Sequence, residues 1–102
     1  MKQFEAELGA LRERVDAIDT QLLALLNARA AVVADIYTLK QNQGVPRFNQ
    51  ARTDSILQRL VGVNQGPLDP DEVRELFTPM LEFFVERYRA DSQSTDDSSN
   101  LR

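Results

Sequence analysis

The sequence predicts an all-α chain of three helices, one of them so long that a second copy of the chain is needed to cover it. Three observations carry this reading. Apolar residues recur at steps of three and four through the N-terminal stretch, clusters of turn residues cut the chain twice, and no segment alternates with the period of a strand.

The first helix is read from Phe4, Leu8, Leu11, Val15, Ile18, Leu22, Leu25, Val32, Ile36 and Leu39. The steps alternate four and three, and position 29 is the one missing member. That is a heptad seam sustained over about five heptads. Gly44 and Pro46 end it, because glycine suits a C-terminal cap and proline cannot continue a helix. A helix over roughly residues 3–42 is about 60 Å long at ~1.5 Å per residue. A compact chain of this length has a diameter of roughly 35 Å. Such a helix either pairs with a second copy or frays at one end, and because the seam stays apolar to both ends, pairing is the expected outcome.

A short loop, 43–47, leads to a second helix near residues 49–63, with an apolar stripe of Ile56, Leu57, Leu60 and Val63. Asn64-Gln65-Gly66-Pro67 is a turn cluster. The third helix has a clear start: Asp69 as N-cap, Pro70 at the first helical position and Glu72 three residues after the cap. Val73, Leu76, Phe77, Met80, Leu81, Phe84, Val85 and Tyr88 form its apolar face, and Pro79 inside it removes one backbone hydrogen bond. Residues 1–90 are expected to form the helical domain, and the Ser- and Asp-rich stretch 91–102 a disordered tail.

Composition excludes several chemistries. The chain has no cysteine and no histidine, which removes disulfides, thiolate nucleophiles, the commonest general base and the commonest transition-metal ligand. No metal and no cofactor is expected. The net charge is -4 and the basic residues form no dense stripe, which argues against nucleic acid. The charged N-terminus does not read as a signal peptide, and no apolar run approaches the ~20 residues of a membrane span. The cytoplasm is the expected location, without membrane contact.

Cations nevertheless stand where a core is expected. Arg29 occupies the vacant seam position, and no acid lies three or four residues away. Such an arginine ordinarily snorkels to solvent or pairs with an acid from another helix. Lys40 lies eleven residues on, hence on nearly the same helical face, and Arg52 is in line with Ile56, Leu60 and Val63 on the second helix. An acidic chain that turns three cations inward suits a small anion with more than one carboxylate or phosphate. Arg12 lies about 100° round the helix from Arg29. It either pairs with Asp16 or reaches the site of a partner chain.

These residues resemble the all-helical chorismate mutase family over most of the chain, from about Leu8 to Tyr88. Leu11-Arg12-Glu13-Arg14-Val15-Asp16-Ala17-Ile18-Asp19 is similar to the family's opening motif, and Leu22 to Arg29 and Lys40 follow at the family's spacing. Pro46, Arg52, Ile56-Leu57, Gly66-Pro67-Leu68 and Leu76-Phe77 match in order. The resemblance implies an intertwined homodimer with two equivalent sites, and the rearrangement of chorismate to prephenate for phenylalanine and tyrosine biosynthesis. It implies that Arg29 and Arg52 grip the substrate's carboxylates and that Arg12 enters from the other subunit. By the same resemblance Lys40 would bind a carboxylate and the ether oxygen, and Asn49, Thr53 and Phe84 would fall at substrate-binding positions.

Four departures from the family pattern stand out. Asn49 and Thr53 replace the Asp and Glu that flank the family's arginine, and Thr53 stands where the glutamate engages the ring hydroxyl. Phe84 replaces a small residue, and Tyr88 a Gln or Glu that acts on the ether oxygen. Tyr88 either donates a hydrogen bond in its place or is, with Phe84, a core aromatic. Alternatives within the resemblance are an isochorismate-pyruvate lyase, an aminodeoxychorismate mutase and a non-catalytic dimer that binds chorismate or docks onto another aromatic-pathway enzyme.

Overall fold

The computed structural model describes the backbone of residues 1–46 and 48–100, with side chains described as far as Arg87. It contains α1 (Lys2–Gln43), α2 (Gln50–Val63) and α3 (Pro70–Asn100), and no strand among the described residues. The predicted helix bounds hold to within about one residue for α1, α2 and the start of α3. The exception is the far end of α3, which continues through the stretch expected to be a tail without fixed structure. That stretch holds neither glycine nor proline, so nothing local compels a stop.

Local chemistry accounts for each boundary. At the end of α1, the Gly44 N–H donates to the Gln41 carbonyl at 3.2 Å and the Val45 N–H to the Lys40 carbonyl at 2.9 Å. This is the paired bonding of a Schellman cap, and it needs a left-handed residue, here Gly44 at φ 67°. The α2 N-cap is Asn49, in extended conformation at φ -140° and ψ 104°. At α3 the capping box is complete. The Glu72 N–H donates to Asp69 Oδ1 at 2.9 Å, and the Asp69 N–H donates to Glu72 Oε1 at 3.0 Å. Asn64 ties the turn before it, accepting from the Gly66 N–H at 3.1 Å and donating to the Leu68 carbonyl at 2.6 Å.

The chain divides into two compact units, Met1–Ile36 and Tyr37–Arg102. The first is helix alone. No residue of α1 is buried, and the seam residues Ile18, Leu22 and Leu25 are 55%, 52% and 67% exposed. In the second unit α2 packs on α3, and the buried apolar side chains are Val73, Leu81 and Phe84, all on one face of α3. Pro79 lies within α3 without ending it.

One expectation needs correction. An 18-residue window of α1 reaches a mean hydropathy of 1.5, enough in length and composition to cross a membrane. Counting uninterrupted apolar residues misses it, because Arg29 and Asp35 break the run but are outweighed in the average. Those two charges within the stretch distinguish it from an ordinary span, since each is costly in hydrocarbon.

Candidate functional site

The predicted site residues divide between the two units. In the first, Arg12 is exposed, and among the described residues it makes no ion pair with Asp16. Arg29 is half-buried, with its Nη1 nitrogen shut off from solvent. Its guanidinium does not simply snorkel outward.

In the second unit, Lys40 is half-buried in the last turn of α1, and its carbonyl is held in the Schellman cap. Arg52 is exposed in the first turn of α2. Its N–H donates to Asn49 Oδ1 at 3.2 Å and to the Asn49 carbonyl at 3.1 Å. The Arg52 carbonyl accepts from Ser55 Oγ at 2.8 Å. Asn49, expected to touch substrate, thus spends its side-chain oxygen on the cap. Thr53 is half-buried, and its N–H donates to the Asn49 carbonyl at 3.2 Å.

Phe84 is buried at 7% exposure and meets the Phe83 ring edge to face, with centroids 5.5 Å apart. It belongs to the core of the second unit, in keeping with the core-aromatic reading of this residue. The side chain of Tyr88 lies outside the described residues.

A cleft of about 500 Å³ opens between α2 and α3, lined by Phe48, Gln50, Thr53, Asp54, Leu57, Thr78, Glu82, Val85 and Glu86. Of the predicted site residues among the described ones, only Thr53 lines it. Among the described residues its charged groups are the carboxylates of Asp54, Glu82 and Glu86, and Asp54 accepts from Gln50 Nε2 at 2.9 Å. Sequence reading did not single the cleft out; the spacing of Glu82 and Glu86 at i,i+4 on one helix was the available signal.

Three helices and the exposed apolar seam of α1 define an all-α protein. The chain belongs to the chorismate mutase type II family, whose profile matches residues 11–89. It is 32% identical over 80 residues to a bifunctional chorismate mutase/prephenate dehydratase of Pseudomonas aeruginosa, a match covering 74% of this chain and 22% of that one. A protein of the same description from Neisseria gonorrhoeae is 34% identical over 70 residues, covering 69% and 19%. The chain thus spans about a fifth of the length of these curated relatives. Among solved structures, a chorismate mutase from Thermus thermophilus (form I) superposes with a TM-score of 0.74 at 29% identity, covering 76% of this chain and 98% of that one.

Proposed function

We propose that this chain is a chorismate mutase that rearranges chorismate to prephenate, and that it acts as a homodimer. The observation that carries the reading is the extent of the family match, which runs through Arg12, Arg29, Lys40 and Arg52 together. The reaction is intramolecular: the ether C–O bond breaks as a C–C bond forms, with no nucleophile, metal or cofactor. The protein's task is to hold a compact chair-like conformer and to stabilise charge developing on the ether oxygen. Arg29 and Arg52 take the substrate's carboxylates, and the partner subunit's Arg12 completes the set. Lys40 binds a carboxylate and the ether oxygen. Tyr88, at the position of the family's Gln or Glu, donates a second hydrogen bond to that oxygen, and Thr53 faces the ring hydroxyl.

The exposed seam of α1 supports the dimer, because an apolar stripe of this length is costly in water and self-complementary against a second copy. The same covering makes the apolar stretch of α1 an intersubunit seam rather than a membrane span, which favours the cytoplasm. The bifunctional relatives join a mutase to a prephenate dehydratase. That supports a partner enzyme that consumes prephenate.

Incubation of the purified protein with chorismate, isochorismate and aminodeoxychorismate, each alone, tests the assignment. Prephenate formed from chorismate is the expected product. Pyruvate released from isochorismate, with chorismate untouched, would overturn the mutase reading in favour of a lyase.

A further inference from the structure

We infer that Asn49 is a positioning residue that aims Arg52 at the substrate, acting through the main chain of α2 rather than by touching the substrate. The inference rests on the reading of Arg52 as a group that grips a carboxylate. Both main-chain groups of Arg52 are held by neighbouring side chains. Its N–H donates to Asn49 Oδ1 at 3.2 Å, and its carbonyl accepts from Ser55 Oγ at 2.8 Å. The Asn49 carbonyl accepts from the N–H groups of both Arg52 and Thr53, at 3.1 and 3.2 Å. One residue therefore anchors the backbone of two predicted site residues.

Packing does not do this work. No residue of α2 is buried, and Asn49, Gln50, Ala51 and Arg52 are all exposed. An uncovered first turn frays unless its orphan N–H groups find acceptors. If it frays, the long Arg52 side chain starts from a moving Cα. A displacement of about 1 Å in a substrate-holding group can cost up to ~100-fold in rate. The start of α3 offers an internal comparison. It is capped equally well by Asp69 and Glu72, but the first cation along it, Arg74, lies beyond the first turn, is paired with Asp71 at 3.7 Å and is not among the site residues.

The test measures kcat and KM for chorismate, with the thermal midpoint, in the full chain carrying Asn49→Ala, Asn49→Gly, Asn49→Asp, Asp69→Ala or Arg52→Ala. Asn49→Ala and Asn49→Gly are expected to raise KM roughly tenfold with a smaller change in kcat. Asn49→Asp keeps an acceptor in place and stays within about twofold of the parent. Asp69→Ala lowers the thermal midpoint and leaves KM unchanged. Asn49→Gly removes the side-chain acceptor of the Arg52 N–H with little loss of helix stability, so it separates the hold on Arg52 from stability and decides the matter if Asn49→Ala does not fold. A parental KM in both Asn49→Ala and Asn49→Gly, beside a raised KM in Arg52→Ala, would overturn the role of Asn49. So would a rise in Asp69→Ala equal to that in Asn49→Ala, since the effect would then be loss of stability alone. A parental KM in Arg52→Ala instead removes the role given to Arg52, and the role of Asn49 falls with it.

Discussion

A guanidinium with one nitrogen shut off from water is an expensive group to keep, and Arg29 is such a group. Its geometry matters as well as its charge. A planar fork matches a carboxylate with two parallel hydrogen bonds, whereas an ammonium offers a point charge. Arg29→Lys is therefore expected to lower kcat/KM for chorismate about 100-fold, although the charge is kept. Steady-state assays at saturating and limiting chorismate check this, and retention of parental turnover would remove Arg29 from the site. Lys40 is asked to act on the ether oxygen, where charge appears only as the C–O bond breaks. Lys40→Ala should accordingly lower kcat, by roughly 100- to 1000-fold, more than it raises KM. Tyr88→Phe isolates the phenol hydroxyl; a fall in kcat is expected, and an unchanged kcat would return Tyr88 to the core-aromatic reading.

At the scale of the element, each helix is bounded by side-chain and backbone chemistry that lies within a few residues. The Schellman cap of α1 requires Gly44 at φ 67°, a conformation that costs an L-residue about 1–2 kcal/mol. Gly44→Ala is expected to destabilise the protein by about 1 kcal/mol in chemical denaturation, even though a Cβ there meets nothing within 4 Å. The loss would come from backbone strain, not collision. On α3, Leu81 is 3% exposed and lies one turn from Phe84. Leu81→Ala should cost about 2–5 kcal/mol by the cavity it leaves. An exposed residue on the same helix, Leu76 at 59%, should cost far less on the same substitution. Equal losses at the two positions would mean that α3 buries a different face in the assembled protein.

The whole molecule is governed by what covers α1. A helix of 42 residues with no buried side chain has not satisfied its own apolar seam. Dimer formation would do so, and would bring the partner subunit's Arg12 to the site. Leu25→Asp places a charge in the middle of that seam and is expected to shift the sedimentation profile from dimer to monomer and to abolish turnover. The parent's thermal midpoint should rise with protein concentration, as mass action requires of a dimer. A parent that sediments as a monomer while still converting chorismate would overturn the dimeric site.

Much of this was legible in residue order. The heptad steps from Phe4 to Leu39, the glycine after α1 and the Asp69–Glu72 box determined three helices and most of their ends. The interactions that set a helix end reach no further than about four residues. The positions of Arg29, Lys40 and Arg52 followed from the same periodicity. Tertiary structure alone decided what depends on packing and on competition between partners. It showed Phe84 in the core of the second unit, Arg29 with a nitrogen turned from water, and a cleft between α2 and α3 that Thr53 lines. It also decided Asn49, whose oxygen could serve a substrate or a helix end and is taken by the Arg52 N–H, because an uncovered first turn needs that acceptor.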